Sequence, residues 1–343
     1  MSDKGTSDHV ARPLDGAAAG SGKKRGCGAH MKRKWWAYLL GLIVLVVILV
    51  PVLILVAVPK IAQKKIDEAQ LEIRAFSALN TQSENFTLGI DSVIRTDGSV
   101  HATIAGFEGV MYLEDWAPQR PFARVHFPET TSDAYQEVRI EQFTPIDDMD
   151  AFTVYNTWLL INETLRVTVR GDTTVRVRGI DRAYPVLFKK TLTVPGLRLF
   201  EGTVVRDPAI SLTGDAQGNN FKGMVDIPNH SQVTFEIGNA TFHNYLNGAE
   251  IGTVFINNMI LRPGNNTFPM NAKVENGPVL TFMSTRPACE TGSVPFQLRG
   301  KDVVNNGQRL SYFADSLASA NQTVNIDIGG ALRHRNVTIA CRS

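Results

Sequence analysis

The sequence predicts a mainly β protein with one N-terminal transmembrane helix followed by two tandem β-domains. Three observations support this prediction: an uncharged apolar stretch, a hydrophobic period of two that begins near Leu71, and a segment of the first half that recurs in the second. We divide the chain into a basic tail (1–34), a transmembrane helix (35–58), a stalk (59–70) and two β-domains (71–205 and 206–343).

The apolar stretch runs from Trp35 to Val58, holds no charged residue and contains seventeen Leu, Ile and Val residues. Its length suffices to cross ~30 Å of hydrocarbon as a helix. At roughly −0.3 to −0.6 kcal/mol per residue, insertion is favourable by on the order of 5 to 10 kcal/mol. The run is too long for a cleaved signal peptide and therefore predicts a signal anchor. Pro51 lies inside it and leaves one carbonyl in need of a local partner.

The flanking charges predict the orientation. Residues 1–34 carry a net charge of +5, whereas the whole chain of 343 residues carries +2. Since the more basic flank stays in the cytosol, we expect a type II topology with a lumenal or extracellular C-terminus. The near-neutral remainder of the chain gives no electrostatic argument for nucleic-acid binding.

The tail permits two interpretations of its basic residues. The stretch Lys23–Lys34 either binds anionic lipid, at ~1 kcal/mol per residue, or only sets topology, and the two roles are compatible. Cys27 within it is a candidate for S-acylation or an unmodified cysteine. Because residues 1–30 contain almost no large apolar side chains, we expect them to be disordered.

Sequons and cysteines agree with a C-terminus in the secretory lumen. Seven Asn-X-Ser/Thr sequons follow the apolar stretch, at Asn85, Asn162, Asn229, Asn239, Asn265, Asn321 and Asn336. Cys289 and Cys341 form an even pair in a compartment that favours oxidation, so we predict a disulfide between them.

Runs such as FTLGIDSVI and LRVTVRG alternate apolar and polar residues, and turn signals separate them. The turn signals are Asp97-Gly98, Gly171-Asp172, Pro195-Gly196, Asn247-Gly248 and Pro263-Gly264. Many short strands with regular turns predict a β-sandwich or barrel. Asp150–Ile161 instead has helical spacing and predicts a short helix laid against the sheet.

Two segment pairs suggest a duplication. Asn162–Gly171 aligns with Asn321–Gly330, and each follows an amphipathic run. Asp97–Ile104 is similar to Asn247–Val254. Two copies of one β-domain, with a boundary within residues 200–220, explain both matches.

The second copy carries a family likeness. Val225-Asp-Ile-Pro-Asn229-His-Ser and the hairpin and Pro-Gly turn that follow resemble the late-embryogenesis-abundant type-2 domain, although Pro stands before Asn229 rather than after it. The resemblance implies an immunoglobulin-like β-sandwich with a short helix in each copy. The overall layout, with the VPKIAQ exit at Val58–Gln63, resembles a fungal family of uncharacterised membrane proteins that includes yeast vacuolar-membrane proteins, one of them linked to ending autophagy. It implies a vacuolar or other endomembrane location and carries over no catalytic residue.

Few residues are candidates for chemistry. Asp147, Asp148 and Asp150 would suit a cation site, but they precede the predicted helix, where capping is the favoured interpretation. The histidines have no metal-ligand spacing, and no nucleotide-binding or nucleophile motif is present. We therefore predict no catalytic, cofactor or metal residue, although a dispersed triad would leave no such motif.

These observations favour a non-enzymatic interaction or structural protein of the vacuolar membrane, or otherwise of the secretory pathway or plasma membrane, with an unknown protein partner. The alternative is a lipid-binding or lipid-transfer ectodomain at the membrane surface. In that alternative, Trp158–Leu160 on the predicted helix forms a lid over an apolar groove; ordinary core packing of these residues is the favoured interpretation.

Overall fold

The computed structural model describes residues 27–211, 213–335, 337 and 340–341, with side chains from Trp35 onward. Residues 1–26 of the expected disordered tail lie outside the described residues, as does Asn336. Residues 27–30 of that tail are helical rather than disordered. The chain forms two compact units, one ending at Ala57 and the other, here called the β-rich unit, running from Val58 to the C-terminus.

The helices and strands alternate irregularly along the chain. The helices are α1 (Cys27–Val52), α2 (Val58–Glu68), α3 (Met149–Ile161), α4 (Asn276–Met283), α5 (Ala288–Thr291), α6 (Ser311–Ala318) and α7 (Ile328–Arg333). The strands are β1 (Gln70–Leu79), β2 (Asn85–Arg95), β3 (Ala102–Ile104), β4 (Phe107–Leu113), β5 (Ala123–Phe127), β6 (Thr130–Thr131), β7 (Tyr135–Pro145), β8 (Thr164–Val177), β9 (Ala183–Pro195), β10 (Val204–Ile210), β11 (Phe221–Asn229), β12 (Val233–Leu246), β13 (Ala249–Leu261), β14 (Gly264–Val274), β15 (Ser293–Asn305), β16 (Gln308–Arg309) and β17 (Gln322–Asp327).

The predicted apolar helix is present. Its large apolar side chains from Trp35 to Leu53 are 42–65% exposed, so no protein core covers them. Among the described residues, one helical stretch, Trp35–Glu68, is long and apolar enough to cross a membrane. Pro51 lies inside α1, and a π-helical turn at Leu53–Ala57 follows it. The chain is therefore a single-pass membrane protein by its described helices.

Two sheets build the β-rich unit, which confirms the predicted mainly β, sandwich-like fold. The larger sheet runs β10-β11-β14-β13-β12-β1-β2-β7, and β15 branches from β12 to pair with β16 and β17. The smaller sheet runs β5-β4-β8-β3-β6. Strands β3 and β4 pair with different parts of the long strand β8, and β9 pairs along the other edge of β8.

The larger sheet contains strands from both predicted β-domains. Strand β1 pairs in parallel with β12, with Phe76 opposite Val233 and Ala78 opposite Phe235. A single hydrophobic cluster also draws residues from both halves of the unit. The predicted boundary between residues 205 and 206 falls inside β10, and the division into two domains stays a prediction.

Helix α3 confirms the helix predicted over residues 150–161. The Asp148 carboxylate caps it by accepting a hydrogen bond of 2.9 Å from the Ala151 backbone N–H. Leu159 is 1% exposed and Leu160 is 3% exposed, so this segment packs into the core rather than covering a groove. The Thr157 hydroxyl lies 3.1 Å from that of Ser316 on α6, where the two helices meet.

The structure corrects one predicted turn and confirms another. Gly171-Asp172 lies within strand β8 and forms no turn. A Cβ on Gly171 would stand 2.5 Å from the Glu108 carbonyl oxygen and 2.7 Å from the Phe107 ring, so glycine permits close strand approach there. Asn247-Gly248 does turn, with φ values of +50° and +79°, and joins β12 to β13 as a hairpin.

Candidate functional site: an apolar cavity beneath helix α2

Helix α2 is packed along one face. Ala62 and Ile66, one helical turn apart, are buried against Val175 of β8 and Val186 of β9. The sequence predicts residues 59–70 as a stalk leaving the bilayer. Helix α2 spans most of this segment, and it docks onto the smaller sheet.

A side-chain amide joins α2 to the edge of that sheet. The Leu187 backbone N–H donates to Gln63 Oε1 at 2.8 Å, and Gln63 Nε2 donates to the Leu187 carbonyl at 2.8 Å. Among the described strands, β9 pairs with β8 alone, so Gln63 satisfies backbone groups on the open edge of β9.

The C-terminal end of α2 is held by Lys190 of β9. Its ammonium donates to the carbonyls of Asp67 at 2.8 Å and Ala69 at 2.6 Å. A cation at this end of a helix also interacts favourably with the helix dipole. Partial burial lowers the pKa of Lys190 below its usual value.

Beneath α2 lies a cavity of about 570 Å³. Its walls come from α2, from the β1-β2-β7 end of the larger sheet and from the smaller sheet, and include Ile61, Ile66, Ile94, Ile104, Val138, Val175 and Phe188. Three aromatic rings on its wall, those of Phe107, Phe127 and Phe188, have centroids 4.9–5.6 Å apart. Cavities of this volume with apolar walls accommodate drug-sized ligands.

Two hydroxyl groups on the cavity wall are bonded within the protein. Ser92 Oγ donates to the Val138 carbonyl at 3.1 Å, and Thr96 Oγ1 donates to the Ser132 carbonyl at 3.0 Å. Among the described residues, none of the buried polar atoms that lack a partner lines this cavity. The wall therefore suits an apolar ligand.

Charged side chains occupy the mouth, which we define as Lys65, Glu68, Arg95 and Asp97. The Lys65 ammonium of α2 forms an ion pair with the Asp97 carboxylate, which lies just after β2. Hydrogen bonds from Lys65 and then from Ser99 lower the pKa of Asp97 to about 2. The pair links the two sides of the mouth.

A second, smaller cavity of about 60 Å³ lies inside the β10–β17 region. Strand register places Asn244 and Gln322 on either side of Leu298 on its wall. Asn244 Oδ1 and Gln322 Nε2 are buried there without hydrogen-bond partners. The volume is that of a few water molecules, too small for a lipid chain.

The acidic cluster has structural partners. Asp147 pairs with Arg124 at 2.8 Å, and Asp148 pairs with Arg120 at 3.1 Å besides capping α3. In the part of the chain that the structure describes, no group of three His, Cys, Asp or Glu residues could hold a metal ion. The favoured interpretation of these aspartates as helix-capping residues is confirmed for Asp148.

The predicted disulfide is present. Cys289 in α5 is bonded to Cys341, with the Cα atoms 5.5 Å apart. It fixes the third residue from the C-terminus to the β-rich unit. Cys27 begins α1, and its side chain lies outside the described residues.

The sequons differ in their accessibility. Asn239, Asn265 and Asn321 are exposed, and Asn85 and Asn162 are half-buried. Asn229 is only 3% exposed. Its Nδ2 donates to the Val233 carbonyl at 2.8 Å, and its Oδ1 accepts from the Ser231 N–H at 2.8 Å. In the folded chain Asn229 is therefore a structural residue without a free amide, which the sequon pattern does not reveal.

Part of the chain matches a family model. Residues 120–244 match the family described as protein of unknown function (DUF3712), which covers strands of both sheets and helix α3. No curated protein matches the chain.

Solved structures show only distant similarity. A glycosyl hydrolase family 2 member from Bacteroides cellulosilyticus is 9% identical over 44% of this chain, with a TM-score of 0.19, and the match spans 17% of that enzyme. A bacterial adhesin from Mobiluncus mulieris is 8% identical over 75% of this chain and 97% of the adhesin, with a TM-score of 0.20. Scores this low support no inference about fold or activity.

Proposed function

We propose that this chain is a non-enzymatic, type II membrane protein that binds the acyl chain of a membrane lipid in the cavity beneath α2. The observation that supports the proposal most is the predominantly apolar wall of that cavity, about 570 Å³ in volume. The lipid-binding alternative from the sequence now has a candidate site.

The apolar wall favours an apolar occupant. Covering apolar surface that water would otherwise contact is favourable by roughly 25 cal/mol per Å². The cavity opens to solvent at its charged mouth, so water enters it when no ligand is bound. A lipid chain displaces that water without needing hydrogen bonds.

Chain connectivity favours a lipid over a soluble ligand. Helix α2 begins at Val58, directly after the apolar span, and its eleven residues extend for about 16 Å at 1.5 Å per residue. The wall that α2 contributes is therefore connected directly in sequence to the membrane segment.

The topology, modification and location remain part of the proposal. The basic tail supports a cytosolic N-terminus, and the sequons other than Asn229 support N-glycans in the lumen. The disulfide supports an oxidising compartment. The resemblance to fungal endomembrane proteins supports a vacuolar membrane. We further propose that the basic tail contacts anionic lipid and that Cys27 is an acylation site.

A protein-interaction role is the second candidate. Strand β7 lies at one end of the larger sheet, and Phe143 on it is 68% exposed. Tyr135 on the same strand is also exposed. Exposed aromatic residues on an edge strand favour a partner surface. Crosslinking in the native membrane should recover a protein that Phe143→Ser releases; an unchanged crosslinking pattern would contradict this role.

Photolabelling of the full chain tests the lipid proposal. We would reconstitute the protein in phosphatidylcholine vesicles that contain a trace of phosphatidylcholine with a diazirine at the chain end, irradiate them, and map labelled peptides by mass spectrometry. The apolar helix α1 should be labelled from the bilayer and serves as the internal reference. We expect additional label on the cavity walls contributed by β3, β7 and β9.

Two matched variants separate cavity binding from surface labelling. Ile104→Trp places a large side chain in the cavity, whereas Thr103→Trp alters the adjacent residue, which faces the opposite side of the strand. Relative to α1, Ile104→Trp should lose most cavity labelling and Thr103→Trp should retain it. The proposal would be overturned if the cavity peptides of the unmodified protein carried no label. It would also be overturned if the two variants showed equal label on these peptides.

A further inference from the structure

We propose that the mouth of the cavity beneath α2 selects a zwitterionic phospholipid, with Lys65 binding the phosphate and Asp97 binding the ammonium group of the head. This inference rests on the proposed lipid-binding function and names the class of ligand. Its basis is the arrangement of four charged side chains at the opening of an otherwise apolar cavity.

The mouth is balanced in charge. Lys65 and Arg95 provide two cations, and Glu68 and Asp97 provide two anions. All four side chains are at least one-third exposed, so they lie where the cavity meets solvent. An apolar chain in the cavity would leave its head group among these charges.

Asp97 is positioned independently of Lys65. The Ser99 backbone N–H and hydroxyl donate to Asp97 Oδ1 at 3.1 Å and 2.8 Å, whereas Lys65 contacts Oδ2. The carboxylate would therefore stay in place if Lys65 turned to another anion. Lys65 is the more mobile partner, because its long side chain has several rotatable bonds.

A zwitterionic head can replace both members of this ion pair. Its phosphate offers Lys65 an anion in place of Asp97, and its ammonium group offers Asp97 a cation in place of Lys65. Each protein charge exchanges one partner for another, and none is left unpaired. A lipid whose head carries only a negative charge would leave Asp97 without a partner and would lie near Glu68 as well. A sterol would engage neither charge.

Arg95 has a partner of its own, because its Nε lies 3.3 Å from the Glu72 carboxylate. Glu68 lies 3.8 Å from the Lys65 ammonium and adds a second negative charge beside it. Lys64 offsets this charge, because its ammonium lies 3.6 Å from the Glu68 carboxylate. The charges near the mouth therefore stay balanced and suit a head group of no net charge.

The test compares two head groups in the labelling assay. The full chain is reconstituted in mixed phosphatidylcholine and phosphatidylglycerol vesicles, with the diazirine carried by one lipid or the other. Cavity labelling is normalised to the amount of each probe in the vesicles, because the basic tail would enrich phosphatidylglycerol around α1. We expect severalfold more cavity label from phosphatidylcholine than from phosphatidylglycerol, because its head group gives both Lys65 and Asp97 a partner.

Asp97→Asn should reduce that preference to about one, because the ammonium group loses its partner. Asp302→Asn is the control: Asp302 forms a similarly exposed pair with Arg309 at 2.9 Å, in β15 and away from the mouth, and its removal should leave the preference unchanged.

The outcomes separate the two proposals. Equal or stronger cavity label from phosphatidylglycerol in the unmodified protein would overturn the head-group inference and leave lipid binding intact. An unchanged preference in Asp97→Asn would overturn it as well. Absence of cavity label from both lipids would overturn the lipid-binding function itself. The comparison of lipids in the unmodified protein does not depend on the folding of any variant.

Discussion

Asn229 combines a sequon with a buried, hydrogen-bonded side chain. We expect Asn229→Gln to lower the free energy of unfolding by about 1–3 kcal/mol, because it displaces an amide that bonds to Val233 and Ser231. The substitution should leave the glycosidase-induced change in the electrophoretic mobility of the full chain unchanged, because a buried Asn229 carries no glycan.

Asn265, which lies opposite Pro228 on the neighbouring strand, is the matched control. It is exposed, so Asn265→Gln should remove one glycan with little change in stability. Loss of a glycan in Asn229→Gln, without loss of stability, would contradict the structural role of Asn229.

The Lys65–Asp97 pair makes the docking of α2 sensitive to acid. The pKa of Asp97 is lowered from 3.8 to about 2 in the folded protein, chiefly by the hydrogen bond from Lys65. Its contribution is therefore fully present above about pH 4 and is lost as the pH falls towards 2. We expect amide hydrogen exchange in α2, corrected for the intrinsic pH dependence, to rise over this interval. Asp97→Asn should remove that rise. If the variant showed the same pH dependence of exchange, a group other than Asp97 would be responsible for the rise.

Helix α3 is the element that the sequence predicts best, because the signals that specify it are local. Its apolar residues Phe152, Tyr155 and Leu159 recur at helical spacing, and an aspartate precedes the helix at the capping position. Each signal lies within about a dozen residues, so no long-range information is needed.

Leu159 provides the energetic test of this element. Because it is almost fully buried between α3 and the sheets, Leu159→Ala should lower the free energy of unfolding by about 2–5 kcal/mol. Ile161→Ala, two residues later and 39% exposed, is the control and should cost less than about 1 kcal/mol. Chemical denaturation monitored by circular dichroism measures both. Equal effects would contradict the packing described for α3.

Helix α2 shows where local patterns are insufficient. Its sequence contains the Ala62 and Ile66 spacing that predicts a packed face, but not the surface to which that face docks. The cavity wall includes Ile94, Ile104 and Phe188, which are far apart in sequence and meet only through sheet pairing. Charged residues next to an apolar span are typical of a solvated stalk. They therefore predict an exposed segment and give no indication of a cavity beneath it.

Only one of the two aligned segment pairs occupies equivalent places in the fold. Both Asn162 and Asn321 follow a helix and precede a strand, in agreement with the aligned segments. The other pair differs, because Asp97-Gly98 connects strands in different sheets and Asn247-Gly248 closes a hairpin. A two-residue turn signal specifies local backbone geometry and does not specify which sheet the next strand joins.

At the scale of the β-rich unit, its two halves are joined by backbone pairing and by polar contacts. Besides the β1-β12 ladder, Thr81 Oγ1 donates to the Glu236 carbonyl at 2.6 Å, and Asn305 Nδ2 donates to Thr81 Oγ1 at 2.9 Å. The Tyr312 hydroxyl donates to the Gln82 carbonyl at 2.9 Å. These contacts connect residues more than 150 positions apart, and no sequence pattern reports them.

We therefore expect the β-rich unit to unfold in a single transition. Hydrogen exchange of the full chain in mild denaturant should give the same global opening free energy for peptides from β8 and from β14, because the shared sheet and core couple the halves. Two separate transitions, with one set of strands exchanging while the other stays protected, would show that the halves are energetically independent.

An experimental structure of the full chain, purified from its native membrane in mild detergent, tests most directly what occupies the cavity beneath α2. We predict elongated apolar density between α2 and the two sheets, ending in a head group at Lys65 and Asp97. A cavity that is collapsed, or that contains only water, would contradict the proposed function.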